Sequence, residues 1–192
     1  MNGDLNGTVG IFAAPDDWVV AQATPDLADA DGPYNNTGHP WNLSPNGGTF
    51  SRMLGVRDNR SERISQVVDG FEVGETYRLA MYVTNLGDYS TANIWRGEDG
   101  YIQLFSGNTL LGVSQTLIKP ATKDDPVIWQ EATFEFVASS ASMNLIIGGE
   151  TLGGIGETAF LAVDGVAFED VPAPGVLTVV GACGLVAARR RR

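Results

Sequence analysis

Thr76-Tyr77-Arg78-Leu79-Ala80-Met81-Tyr82-Val83-Thr84 is the stretch of this chain that decides the fold. Tyr77, Leu79, Met81 and Val83 alternate with Thr76, Arg78, Ala80, Tyr82 and Thr84, a period of two held over nine residues. Side chains on a strand point alternately to opposite faces, whereas a helix groups its apolar residues three and four apart. Residues 76–84 are therefore predicted as a strand with one face on a core.

The same logic extends in both directions. Arg63-Ile64-Ser65-Gln66-Val67-Val68 reads as the preceding strand and ends at the turn pair Asp69-Gly70. Further strands are predicted at 101–105, 110–117, 132–138 and 143–147, with a last one inside 159–168. Ser106-Gly107-Asn108, Lys123-Asp124-Asp125-Pro126 and the glycine-rich run 148–156 separate them. Toward the N-terminus, Val9-Gly10-Ile11-Phe12 reads as a first strand and Trp18-Val19-Val20 as a short second. A long polar loop with Tyr34, His39 and Trp41 follows. Short strands divided by turns, with no helical period before residue 171, predict an all-β chain. The expected architecture is a jelly-roll β-sandwich over residues 1–170, followed by a short C-terminal apolar helix.

The net charge of −11 on 192 residues conceals an asymmetry. Arg189, Arg190, Arg191 and Arg192 supply four of the 12 basic residues, so residues 1–188 carry a net −15. An acidic body without a basic stripe repels phosphate backbones, which excludes nucleic acid as a partner. The single cysteine, Cys183, excludes an intramolecular disulfide and a cysteine-based zinc site in the body.

Val171-Pro172-Ala173-Pro174-Gly175 stops the last strand, because proline has no N–H for a ladder. Residues 175–188 then run for 14 positions with no charge and only Thr178 polar. As a helix they span roughly 21 Å at about 1.5 Å per residue, against ~30 Å of hydrocarbon. The arginine stems snorkel to lengthen that span, and their charge keeps the C-terminus cytoplasmic with the body outside. The expected role is a transient address rather than a permanent anchor. The Pro-x-Pro frame, apolar helix and arginine cluster of 171–192 together resemble the PEP-CTERM sorting signal of bacteria. In that family Pro-Glu-Pro precedes the helix and the membrane protease exosortase processes the tail; Ala173 stands here in place of the Glu. The resemblance implies export to the cell envelope, surface or extracellular matrix. Met1-Asn2-Gly3-Asp4 opens with neither a basic n-region nor an apolar h-region, so an export leader is expected upstream.

Within the body, three fragments stand out: Asn2-Gly3-Asp4-Leu5, Ile64-Ser65-Gln66-Val67-Val68 with Gly74-Glu75-Thr76-Tyr77-Arg78-Leu79, and Val163-Asp164-Gly165-Val166. They resemble galactose-binding-like jelly rolls of the carbohydrate-binding-module type. The resemblance implies first and last strands that pinch a structural Ca2+, with Asp4 and Asp164 as its carboxylates. Two acidic positions of that family are replaced here, by Leu5-Asn6 and by Gly165. It also implies a polysaccharide as ligand. Binding a pyranose takes an exposed ring to stack on the sugar, flanked by amides or carboxylates. Tyr89, Asn93, Trp95 and Tyr101 form one candidate set; Tyr34 and Trp41, with Asn35, Asn36 and His39, form another. Trp18 and Trp129 border strands and are assigned to the core. His39 is the sole histidine and no nucleophile–base set assembles around it, so the expectation is a non-catalytic binding protein. A structural or adhesive protein, and a small polysaccharide-active enzyme, are the alternatives.

Overall fold

The computed structural model describes residues 3–32, 41–57, 60–89 and 94–169. In chain order the strands are β1 (Val19–Gln22), β2 (Asp26–Ala28), β3 (Phe50–Val56), β4 (Arg63–Asp69), β5 (Thr76–Asn85) and β6 (Asp88–Tyr89), then β7 (Trp95–Arg96), β8 (Gly100–Ser106), β9 (Thr109–Val113), β10 (Gln130–Val137), β11 (Ser142–Thr151) and β12 (Thr158–Glu169). One five-stranded sheet has the order β1-β4-β11-β8-β9 and another the order β10-β5-β12-β3-β2, while β6 and β7 form a separate ribbon. Every pairing is antiparallel. The all-β expectation holds for the described residues. The predicted C-terminal helix, with the whole of 171–192, lies outside them.

The alternation that predicted β5 has its physical counterpart. Leu79, Met81 and Val83 enter the main core with Met53, Ile64, Ile102, Leu104, Phe134, Leu145, Leu161 and Val163. Both five-stranded sheets contribute to that list, so the core lies between them. The opposite face of the second sheet carries a smaller cluster of Trp41, Phe50, Leu86, Val127 and Ala162, with Trp129 packed against it. Trp18 lies in the main core, as expected.

Four departures from the predicted strands have physical causes. Residues 9–12 form no strand: Gly10 makes one bridge to Leu27, and the chain turns at Phe12, whose φ is +57°. The predicted strand 110–117 ends at Val113, and Leu117 instead bridges Gly100. β3 was not expected as a strand, because both of its faces are covered and the alternation vanishes. β11 runs straight through Gly148-Gly149, expected as a turn. The glycines are there because the sheets converge. A Cβ on Gly55 of β3 would stand 2.6–2.9 Å from the backbone of Glu150 in β11.

That convergence is testable. Gly55→Ala forces backbone apart from backbone, and an overpacked site of this kind is expected to cost about 1–3 kcal/mol, read as a lower midpoint in urea unfolding. An unchanged midpoint would mean that the sheets are free to separate there.

Candidate functional site

The site begins with an incomplete edge. β2 has three residues and pairs with β3 only from Phe50 to Arg52. Beyond it, the outward N–H groups of β3 have no strand to meet. Side chains from the segment before β4 take that place. The Glu62 carboxylate accepts from Leu54 N–H at 2.7 Å, while Glu62 N–H donates to Leu54 O at 2.9 Å. Ser61 Oγ accepts from Val56 N–H at 3.1 Å. Glu62 is thereby held at the edge of the sheet, with Thr24 Oγ1 donating to its other oxygen at 3.0 Å.

Arg52 lies on the same edge, buried on the outer face of β3. Its Nη1 pairs with Asp26 at 2.8 Å, in register across β2, and its Nη2 lies 3.8 Å from Asp88. Asp88 in turn receives Arg96 within the β6–β7 ribbon, Nε at 2.6 Å and Nη2 at 2.5 Å both converging on its Oδ2. The Phe160 ring meets both guanidiniums, 5.5 Å from that of Arg52 and 5.3 Å from that of Arg96. These groups, with Phe12, Thr24, Leu54 and Glu62, line a pocket of about 210 Å³. Phe12 is 63% exposed. Its N–H donates to Asp26 at 3.2 Å, which holds the strained backbone and leaves the ring at the mouth.

The electrostatics separate the carboxylates. Burial pushes Asp26 upward, opposed by the Arg52 guanidinium and by the bond from Phe12 N–H. Burial pushes Glu62 to about 7, because its two hydrogen bonds and the more distant Arg52 offset desolvation only in part, while Asp26 adds repulsion. Among the described residues Glu62 has no ion-pair partner within 4 Å, whereas Asp26 pairs with Arg52 and Asp88 with both Arg52 and Arg96.

The β6–β7 ribbon also carries two of the predicted ligand residues. Tyr89 and Trp95 are directly opposite, one step along from Asp88 and Arg96. Trp95 lies across Gly87 and donates from Nε1 to Pro120 O at 2.7 Å. Lys119 stands 5.9 Å from the Trp95 ring and Lys123 6.0 Å from the Tyr89 ring. Pro120 borders a groove of about 390 Å³ that also contains Ile118, Pro126, Ile128 and Gln130.

The remaining predicted residues scatter. Tyr101 stands opposite Glu150 on the other sheet, where burial and then the Glu150 charge raise its hydroxyl pKa. Trp41 is corrected from an exposed platform to a packing residue. It is 4% exposed and meets Phe50 edge-on at 6.2 Å, because the outer face of the second sheet needs a cover. Asn93 and Tyr34 lie outside the described residues. Burial and, to a lesser degree, the Asp4 charge raise Asp164 to about 6, while bonds from Ser44, Gly165 N–H and Asn46 lower it. Asp164 is 1% exposed and accepts from Ser44 Oγ, and from Gly165 N–H at 2.7 Å. Carboxylate and hydroxyl oxygens are the hard donors that calcium takes, and Asp4, Asp164 and Ser44 carry them. No group of three or more His, Cys, Asp and Glu is gathered for a metal among the described residues.

The pocket residues Phe12, Asp26, Arg52 and Glu62 were missed in the sequence. The one available signal was Arg52, a charge set between Phe50 and Leu54 at strand spacing.

No family model matches the chain, and no curated protein does. Solved structures resemble it in fold. A Stig cyclase, Fisc, from Fischerella sp. TAU, in complex with (3Z)-3-(1-methyl-2-pyrrolidinylidene)-3H-indole, aligns with a TM-score of 0.56 and 18% identity over 87% of this chain and 90% of that one. A further cyclase from Fischerella sp. TAU gives 0.51 and 16% over 84% and 86%. TmCBM61 in complex with beta-1,4-galactotriose gives 0.42 and 13% over 80% and 88%. At these identities the first two establish shared architecture alone.

The raised Glu62 pKa is a statement about stability. Between about 4.5 and about 7 the folded state holds a proton that the unfolded state has released, so stability falls as pH rises through that window. At 1.36 kcal/mol per unit the loss is about 3 kcal/mol. Glu62→Gln removes the charge, with the amide oxygen placed to accept from Leu54 N–H and the amide nitrogen to donate to Thr24 Oγ1. Urea unfolding across pH 5–7.5 is expected to give a flatter profile for the variant than for the parent; parallel profiles would contradict the assignment.

Proposed function

We propose that this chain is an exported cell-surface or extracellular-matrix protein whose jelly-roll body binds polysaccharide, without catalysis, at the pocket beside Phe12. The observation that carries this reading is the pairing of an exposed ring with fixed polar groups in one small concavity. Phe12 offers a flat apolar face to a pyranose. Asp26 and Asp88 are locked in ion pairs with Arg52 and Arg96, so carboxylate and guanidinium edges are preorganised for hydroxyl groups. At about 210 Å³ the pocket is smaller than sites that enclose a drug-sized ligand, roughly 300–1,000 Å³. One sugar ring suits it. Tyr89 and Trp95, on the neighbouring step of the β6–β7 ribbon, would meet the rest of the saccharide.

Delivery is assigned to the tail. Val171-Pro172-Ala173-Pro174-Gly175 and Arg189 to Arg192 would present the chain to an exosortase, with the apolar segment in the membrane until processing.

The binding reading is tested on the full chain with a panel of immobilised oligosaccharides. Phe12→Ala is expected to weaken the strongest interaction by about three- to tenfold while leaving the melting temperature within a degree or so. Retention of full affinity by the variant would remove Phe12 from the site.

Calcium is proposed at Asp4 and Asp164, where it would tie the start of the chain to β12. Excess chelator is expected to lower the melting temperature, and Asp164→Asn to abolish the difference. A transition that chelator leaves in place argues against the ion.

A further inference from the structure

The charge balance of the pocket points to more than a generic saccharide. Four of its five ionic groups cancel in pairs. Arg52 is matched by Asp26 at 2.8 Å, and Arg96 by Asp88 at 2.5 Å. Glu62 is the fifth. It is 3% exposed, lines the pocket, and has only neutral donors, Thr24 Oγ1 and Leu54 N–H. A buried carboxylate without a counter-charge is costly, and a cationic ligand group beside it is the complement that relieves the cost.

We infer that the pocket selects a saccharide unit carrying a free, protonated amine, an amino sugar without its acetyl group, whose ammonium pairs with Glu62 while its ring lies against Phe12. This rests on the saccharide reading above and narrows it. The two arginines do not forbid an ammonium, since each is already neutralised by its own aspartate. The acidic body adds a diffuse attraction for any cation, but that attraction comes from 23 acidic residues and is hardly altered by removing one. A specific contact is altered.

Glu62 also supplies a signature that diffuse attraction lacks. The groups that act on it are Thr24 before β2, Asp26 on β2, and Arg52 and Leu54 on β3, and Asp88 and Arg96 of the β6–β7 ribbon line the same pocket. With burial and Asp26 holding Glu62 near 7, the empty pocket keeps a proton at slightly acid pH. An arriving ammonium displaces it.

The test uses calorimetry on the full chain at pH 6.5 with three β-1,4-linked tetrasaccharides: glucosamine, N-acetylglucosamine and glucose. The glucosamine form is expected to bind at least about tenfold more tightly than either neutral form. In a parallel titration at pH 5.5, where the free amine is already an ammonium, its binding should release most of one proton from Glu62, read from the dependence of the heat on buffer ionisation. Glu62→Gln should bring its affinity down to that of the neutral forms and abolish the proton release. Equal affinity of the parent chain for all three overturns the amine preference and leaves the saccharide reading standing. A preference that survives Glu62→Gln assigns it to diffuse charge and overturns the inference. Binding of none of the three overturns both readings. The proton release of the parent chain needs no variant, so a poorly folded Glu62→Gln still leaves the inference exposed to refutation.

Discussion

The arrangement around the pocket follows from burying Arg52. A guanidinium does not shed its charge at any ordinary pH, so a buried one must be met by carboxylates. Asp26 meets it from β2 and Asp88 from the segment after β5. The first contact sets where β2 pairs along β3. The second returns the chain over the sheet after the turn at Gly87, whose φ is +61°. Asp26 then captures Phe12 N–H and Asp88 captures Arg96. One charge thus holds segments from four parts of the chain, and Trp41 and Phe160 line its walls at 5.9 and 5.5 Å.

How much of this was legible depended on whether one face of an element meets water. β5 and β10 carry polar residues on one side and core residues on the other, so period two was visible. β3 is covered on both sides and contains a buried arginine, so it presents no alternation and reads as neither strand nor loop. β11 reads as a shorter strand in the sequence because glycine pairs ordinarily mark turns; here they let one sheet approach another. The same reasoning governs the site. Tyr89 and Trp95 were found because aromatic rings in a polar stretch are conspicuous, and the ribbon brings them together. Trp41 was equally conspicuous and is packing. Glu62 and Asp26 lie 36 residues apart among many other acids, and nothing local distinguishes the pair that converges.

The sandwich and the pocket rest on different residues. Solved structures with 18% identity share the architecture, which depends on the residues between the sheets. The pocket is made outside that layer, from the outer face of β3, a turn near the N-terminus and the ribbon. A core of this kind tolerates different chemistry on its outer face, which is why the pocket's own groups, rather than the fold, carry the functional argument.

The shortness of β2 has a consequence for behaviour in concentrated solution. A strand with open N–H and C=O groups is a template on which another chain can add. β3 would offer that template past Arg52, were it not that Glu62 and Ser61 already occupy Leu54 and Val56. Their side chains end the sheet as a cap ends a helix. Glu62, which lines the pocket, therefore also closes the β3 edge against the addition of another strand.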